Sequence, residues 1–148
     1  VRDILQSWEG TMGWDATYVA EGHFVETTYE GVIAPDELNT AVVRTLALAH
    51  SHQTTLFLAD CSQLVGGHSL VDLSHLIDSL VVLGMVGHLK EALIMPHLRA
   101  AAHDVAFWEA ACVNRGLLVR LFPERQAALD WLCSPPHVAP IPSAPGRA

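Results

Sequence analysis

The sequence predicts an α/β domain in which helices pack on a mixed, mostly parallel sheet. Short apolar runs bounded by turn residues alternate with segments of helical periodicity, which is the pattern of β-α-β units. Two runs rich in Thr, Val and Tyr come before them and predict an antiparallel hairpin. The chain has 148 residues, of which 51% are hydrophobic, so we expect one domain with one core.

The hairpin is expected to comprise strands over residues 14–21 and 23–30, joined at a turn. Polar and apolar side chains alternate in the second strand, so one of its faces should be wetter and the strand should lie nearer the sheet edge. Pro35 followed by Asp36 and Glu37 predicts the start of the first helix. Proline suits the first helical position, and acids stabilise the positive end of the helix dipole.

The clearest chemistry lies in the middle of the chain. Residues 55–59 are apolar on both faces and predict a central strand that ends at Asp60. Open α/β sheets place their sites at such carboxyl ends. A loop containing Gly66-Gly67 is expected next, because glycine frees the backbone. Ser69, with Asp72 three residues later, resembles a capping box and predicts that the second helix begins there.

The second half of the chain repeats this alternation. We expect a short strand at 91–95 stopped by Pro96, a third helix, a strand at 117–122 and a last helix opened by Pro123-Glu124. The third helix should end at Arg115-Gly116, because glycine favours a left-handed C-terminal cap. The predicted order is β-β-α-β-α-β-α-β-α with right-handed crossovers.

Two terminal segments are expected outside this domain, which we place at residues 14–133. Gly10 and Gly13 interrupt helical spacing in residues 1–13 and predict a packed lead-in segment. Residues 134–148 contain five prolines, which exclude helix and sheet, so an extended tail is expected.

This element order resembles that of the SpoIIAA-like family, which is related to the STAS domains of anti-sigma factor antagonists and, more distantly, to the lipid-binding CRAL-TRIO fold. The resemblance spans about residues 14–133 and rests on the pattern of hydrophobic segments and the residues that end them, and not on a catalytic motif. The segments that carry it are Glu30-Gly31, Pro35-Asp36-Glu37-Leu38, Leu58-Ala59-Asp60, Val119 to Glu124 and Ala128 to Leu132. It implies a single STAS-like domain that regulates a protein partner.

In STAS antagonists the second helix starts at an Asp-Ser-Ser-Gly turn whose serine is phosphorylated by a partner kinase. The corresponding stretch here is Gly66-Gly67-His68-Ser69-Leu70, with glycine in place of the aspartate and no glycine after the serine. The resemblance places Ser69 near the family's serine. Two interpretations stay open: Ser69 is a phosphorylated switch, or it is an N-cap that contributes about 1 kcal/mol to its helix.

The candidate switch, partner or ligand surface combines the end of the central strand with the start of the second helix. Strand ends and free helix N–H groups should converge there, beside an acid. The residues that we assign to this surface are Asp60, Cys61, Ser62, Gly66, Gly67, His68, Ser69, Asp72 and His75.

Three classes of function are compatible with these residues. The first is a non-enzymatic regulatory or interaction domain that presents residues 61–79 to a protein partner. The second is a carrier or sensor that holds an apolar small molecule or lipid between sheet and helices, with Trp108 and Trp131 as candidate lining. The third is a hydrolase using Ser69 or Cys61, for which no base or oxyanion donor can be named.

Composition and charge argue against several kinds of partner. Eight basic and sixteen acidic residues give a net charge of −8, which repels phosphate backbones, so no nucleic-acid partner is expected. No apolar run approaches the length of about 18 residues that a membrane span needs. The three cysteines lack metal-type spacing, and we predict no metal or other cofactor.

The expected location is a reducing cytoplasm. The expected oligomeric state is a two-fold homodimer.

Overall fold

Five strands and four helices make up residues 13–134, which are the residues that the computed structural model describes. The strands are β1 (Trp14–Val19), β2 (Phe24–Val32), β3 (Leu56–Gly66), β4 (Lys90–Ile94) and β5 (Leu118–Phe122). The helices are α1 (Pro35–Ser51), α2 (Leu70–Val82), α3 (Arg99–Asn114) and α4 (Arg125–Leu132). The predicted lead-in before Gly13 and the predicted tail after Ser134 lie outside the described residues.

The strands lie side by side in the order of the chain, β1-β2-β3-β4-β5. β1 and β2 are antiparallel, and all the other neighbouring pairs are parallel. The predicted fold class and element order are therefore confirmed. Within residues 13–134, no helix has the length and apolarity that crossing a bilayer requires.

Side-chain alternation gives the sheet two faces, each with its own core. We call the side covered by α1, α2 and α3 the three-helix face; right-handed crossovers between successive neighbouring strands place all three helices on the same side. Its core includes Val25, Phe57, Ile77, Leu93 and Val119. We call the opposite side the α4 face, where the core comprises Phe24, Leu58, Ala92, Ile94, Phe122, Ala128 and Leu132.

The prediction that the second hairpin strand lies nearer the edge is wrong. β2 pairs with β1 on one side and with β3 on the other, so β1 is the edge strand. The predicted wetter side of β2 is nevertheless present. Glu26 and Thr28 are half-buried and Glu30 is exposed, whereas the alternate residues Val25 and Thr27 are buried. This polar row lies on the α4 face, which the short helix α4 covers.

β3 is longer than predicted, and its length corrects the boundaries of the candidate site. The strand was expected to end at Asp60 but continues to Gly66. Beyond Asp60 it has lost its pairing with β4, yet it still pairs with β2 as far as Val32, through two register shifts. Asp60, Cys61 and Ser62 therefore lie within a strand and not in a loop.

The predicted helix starts agree with the structure to within two residues. α1 begins at Pro35, and Ser69 is the N-cap of α2. α4 begins at Arg125 with Glu124 as its N-cap, two residues after the proline that was expected to open it. Gly116, at φ +85°, follows the end of α3 in the left-handed conformation that glycine adopts most readily.

Candidate functional site

A cavity of about 90 Å³ lies between the three-helix face and the helices that cover it. Its walls are formed by β2, β3 and β4 together with α1, α2 and α3. The cavity is partly open to solvent. One water molecule requires a cavity of about 10–15 Å³, so several waters or one small organic molecule can fit.

Most of the cavity wall is apolar because of the periodicity of the elements around it. α1 contributes Leu38, Val42 and Leu46, which recur every four residues and so share one helix face. β3 contributes Phe57 and Ala59, which alternate onto the three-helix face. These side chains can hold the apolar part of a ligand but cannot orient it.

Glu91 is the principal polar group of the wall. It stands on β4 opposite Phe57 of β3 and Val119 of β5, and its side chain faces the helices. The Trp108 Nε1–H of α3 donates a hydrogen bond of 2.9 Å to the Glu91 carboxylate. Burial raises the pKa of Glu91 to about 7, although the Trp108 hydrogen bond acts in the opposite direction. The part of Glu91 that remains accessible lines the cavity.

Tyr29 and Cys61 bring two further polar groups to the cavity wall. Burial raises the pKa of the Tyr29 hydroxyl, and Cys61 and Glu91 raise it further where they are ionised. Burial, followed by the charges of Glu91 and Asp60, likewise raises the pKa of the Cys61 thiol. Both groups therefore stay protonated at neutral pH. A protonated thiol is a poor nucleophile, so Cys61 is suited to contact a ligand and not to attack one.

The sheet separates Asp60 from Cys61 and His68, which line the cavity, and this corrects the prediction of one shared surface. Asp60 is oriented toward α4: its Oδ2 lies 3.9 Å from Arg125 Nη1, and its Oδ1 accepts the backbone N–H of Ser62 at 3.0 Å. Cys61 is buried on the other side of the sheet and lines the cavity. Consecutive strand residues point to opposite faces, so Asp60 and Cys61 cannot share one surface.

The turn between β3 and α2 depends on two glycines. Gly66 has φ +141° and Gly67 has φ +110°, a region that residues with a Cβ rarely adopt. A Cβ at Gly67 would also lie 2.6 Å from the carbonyl oxygen of Ile33. The half-buried His68 follows, and its Nδ1–H donates to that same carbonyl at 3.0 Å. The His68 side chain lines the cavity, so the turn reaches the site through this residue.

Ser69, Asp72 and His75 lie on the outer surface and do not line the cavity. The Ser69 hydroxyl accepts the Asp72 N–H at 3.1 Å, and the Asp72 carboxylate accepts the Ser69 N–H at 2.8 Å, which completes the predicted capping box. The backbone and then the side-chain hydrogen bonds of Ser69 lower the pKa of Asp72. Among the described residues, no histidine ring hydrogen-bonds to Ser69 or Cys61, and the Ser69 hydroxyl donates to the carboxylate of Asp72 at 3.0 Å.

Two tryptophans that the sequence placed as candidate lining lie on opposite sides of the sheet. Trp108 contacts the cavity as expected. Trp131 belongs to the α4 face, where its ring lies 5.5 Å from that of Phe122, so its assignment to a ligand pocket is wrong.

Glu91 is a residue of the cavity that the sequence predicted only as the first residue of a strand. The only local signal for it is an acid directly before the apolar residues 92–94 of β4.

The cysteine, histidine and acidic side chains do not converge on a metal site in the described part of the chain. No group of three such residues within 13–134 has the placement that a metal ion needs.

Comparisons with known proteins bear on the fold. No family model and no curated protein matches the sequence. A solved structure of an uncharacterized protein from the DUF3478 family, from Shewanella loihica PV-4, has a SpoIIAA-like fold and aligns with a TM-score of 0.52. The two chains are 19% identical over 81% of this chain and 92% of that one. The similarity confirms the SpoIIAA-like, STAS-like fold that the sequence resembled.

Proposed function

From a SpoIIAA-like fold that encloses a cavity, we propose that the protein is a non-enzymatic domain that carries or senses a small, largely apolar molecule. The observation that carries the proposal is the cavity, with walls from the sheet and from three helices. Small-molecule sites are characteristically concave and apolar, with a few convergent polar groups that fix orientation. Glu91, Tyr29 and Cys61 supply such groups here.

The protonation states of these groups favour binding over catalysis. Burial keeps the Cys61 thiol and the Tyr29 hydroxyl protonated, so neither is an activated nucleophile. The Ser69 hydroxyl donates to Asp72 at 3.0 Å and lies outside the cavity. A ligand held at Glu91 would therefore meet donors and acceptors but no nucleophile paired with a base.

Xenon tests whether the cavity accepts an apolar guest, because it has no polar group and enters dry apolar cavities. We expect ¹H–¹⁵N resonances of the lining residues to shift with xenon pressure in the wild-type protein. Ala59→Leu fills the cavity from β3 and should abolish the shifts. Ala110→Leu adds the same atoms at an exposed position of α3 and should leave them unchanged. Wild-type resonances that do not shift with xenon pressure would contradict the proposal.

The physiological ligand is sought among molecules that co-purify with the protein. Small molecules released by denaturation are compared by mass spectrometry between Ala59→Leu and Ala110→Leu preparations. We expect a compound that is present with the surface variant and absent with the cavity variant. Identical small-molecule content in both preparations would count against a carrier function.

An exposed apolar patch supports docking of a protein partner as a second candidate function. Four side chains that are 65%, 44%, 37% and 62% exposed form what we call the Ser69 patch: Val32, Val65, Leu70 and Val71. They gather around the β3–α2 turn, since a Cβ at Gly67 would lie 2.7 Å from Val32 Cγ1. Exposed apolar side chains grouped around one turn are typical of interaction sites.

The Ser69 patch is tested by recovering partners from cell extract. Val71→Asp should lose the partners that the wild type retains, whereas Val43→Asp, at an equally exposed valine of α1, should keep them. Ser69→Asp should also reduce partner binding, because it sets a second carboxylate beside Asp72. Ser69→Ala should mainly cost the cap, about 1 kcal/mol of unfolding free energy. Unchanged partners with Val71→Asp would remove this candidate.

A further inference from the structure

We infer that the ligand of the cavity is a small apolar amine whose nitrogen donates hydrogen bonds to Glu91. This inference rests on the proposed carrier or sensor function and specifies the ligand for the same site. It is carried by three features of the cavity: the charges of its wall, the unused acceptor capacity of Glu91 and the apolar surface opposite.

The charges of the cavity wall favour a cationic ligand over an anionic one. Two carboxylates, Glu91 and Asp104, line the cavity, and among its lining residues in the described part of the chain there is no lysine or arginine. The Nδ1–H of His68 already donates to the Ile33 carbonyl. A carboxylate ligand such as a fatty acid would therefore enter an acidic space without a counter-ion. A protonated amine would find an opposite charge.

The hydrogen-bonding geometry also fits an amine. Within residues 13–134, the carboxylate of Glu91 accepts one hydrogen bond, from Trp108. An ionised carboxylate has about four acceptor sites, so most of the acceptor capacity of Glu91 remains for a ligand. The hydroxyl oxygens of Tyr29, Thr27 and Thr45 add acceptors to the same wall. An ammonium group has three donors and no acceptor, which matches this arrangement.

The rest of the ligand must be apolar and short. Leu46, Leu73, Leu80 and Val105 face the cavity and offer no polar atoms to a guest. A volume of about 90 Å³ is smaller than the roughly 150 Å³ of an engineered cavity that holds benzene. The space therefore suits a short aliphatic amine better than a long lipid chain.

The protonation of Glu91 should couple amine binding to pH. Burial raises the pKa of this carboxyl to about 7, so the empty site is partly protonated near neutrality and gains its charge above that pH. Tyr29 on β2, Cys61 on β3 and Cys112 on α3 stay neutral in this range, because burial raises the pKa of each. His68 and Asp104 are the other titratable groups on the wall. Affinity for the amine should therefore rise as the pH increases through 7.

The inference is tested with three probes of matched shape: pentylamine, 1-pentanol and pentanoate. The full chain is titrated with each probe at pH 8, and the indole N–H resonance of Trp108 is followed after assignment with Trp108→Phe. We expect pentylamine to bind about tenfold more tightly than 1-pentanol, the usual gain of a charge-assisted hydrogen bond, and pentanoate not to bind. In Glu91→Gln the amine and the alcohol should bind equally, with the affinity for 1-pentanol retained.

A measurement on the wild-type protein keeps the inference testable if Glu91→Gln does not fold. The affinity for pentylamine should rise between pH 6 and pH 8, and that for 1-pentanol should stay constant. Equal affinities for amine and alcohol in the wild type, or a preference for pentanoate, would overturn the amine inference and leave the apolar carrier intact. Failure of xenon and all three probes to bind would overturn both.

Discussion

Glu91 occupies a position on β4 where an acid is unusual. Its neighbours in the strand, Ala92 and Leu93, are 0% and 3% exposed. A charged carboxylate in such surroundings loses most of its hydration, and a single hydrogen bond from Trp108 does not replace it. The residue is tolerated because it faces the cavity and because its pKa of about 7 allows it to become neutral.

Glu91 should make the unfolding free energy fall as the pH rises. Folding raises its pKa from 4.5 to about 7, so the folded state binds more protons than the unfolded state between these values. Stability is therefore lost as the pH increases through that window, on the order of 3 kcal/mol in all. Glu91→Gln should remove this loss and be more stable than the wild type at pH 8.

Urea unfolding of both proteins at pH 5 and pH 8 measures this effect. Glu21→Gln changes the same residue type at an exposed turn and should keep the wild-type pH dependence. A wild type and a Glu91→Gln variant whose difference in unfolding free energy is constant between the two pH values would contradict a raised pKa.

Residues with local partners could be predicted from the sequence, and residues with distant ones could not. Ser69 and Asp72 are three positions apart, and their capping box was correctly predicted. The role of Glu91 depends on Trp108, which lies 17 residues away on another element, and on desolvation by the assembled helices. Neither the contact with Trp108 nor the desolvation can be predicted from the residues next to Glu91 in the sequence.

Among the elements, β3 shows where local pattern fails. Residues 57–60 pair on both sides and have the apolar pattern of a buried strand. Residues 61–66 pair only with β2, through register shifts that disturb the alternation. Polar residues at Ser62 and Gln63 then resemble a loop, so the sequence placed the end of the strand at Asp60. Strand pairing is a long-range property, and it decided the boundary of the site.

α4 is a helix of only eight residues that depends on contacts at both of its ends. At its start, Arg125 makes a bidentate pair with Glu26 of β2, at 2.8 and 2.7 Å. At its end, Lys90 Nζ donates to the carbonyls of Trp131 and Leu132 at 2.9 and 3.3 Å. A cation at the last turn satisfies free carbonyls and complements the negative end of the dipole.

Lys90→Met should loosen α4 because it removes that cation but keeps the length of the side chain. We expect a loss of about 1–2 kcal/mol in unfolding free energy and faster amide exchange confined to α4. Arg44→Met, at an exposed position of α1, serves as the control and should change neither quantity. Unaltered exchange in α4 would show that Lys90 does not hold the helix.

Phe57 tests the packing of β3 against the helices. Its side chain is 4% exposed and contacts both the core and the cavity. Phe57→Ala should lower the unfolding free energy by about 3–5 kcal/mol, through lost burial and an enlarged cavity. Leu118→Ala, at a residue of β5 that is 54% exposed, should cost far less. A melting curve unaffected by Phe57→Ala would remove this residue from the core.

At the scale of the whole molecule, the order of strands explains why the site lies on one side. Neighbouring strands follow one another in the chain, so every crossover helix falls on the three-helix face. Among the elements of residues 13–134, α4 alone, which follows the last strand, covers the other side. The element order was predictable from local periodicity. The cavity was not, since it is the space that three separately predicted helices leave above the sheet.

The end of α2 carries the surface on which we expect the chain to form a dimer. Val82, Leu83 and Val86 are 84%, 64% and 41% exposed, and we call them the α2-end patch. The end of α3 lies beside it, where Arg115 pairs with Asp78 of α2 at 3.0 Å. Val113 of α3, which is 53% exposed, extends the apolar surface. Large apolar patches on a small domain mark association sites, and two-fold dimers are the commonest assembly.

Light scattering during size-exclusion chromatography measures this association. The wild type should elute with twice the chain mass of 16.1 kDa. Val82→Asp places a charge at the centre of the α2-end patch, where it would lose its hydration in a dimer, so this variant should elute as a monomer. Val71→Asp tests the Ser69 patch at the other end of the same helix and should remain dimeric. A dimer that survives Val82→Asp but not Val71→Asp would move the interface to the Ser69 patch, whereas a wild type that stays monomeric at high concentration would exclude self-association.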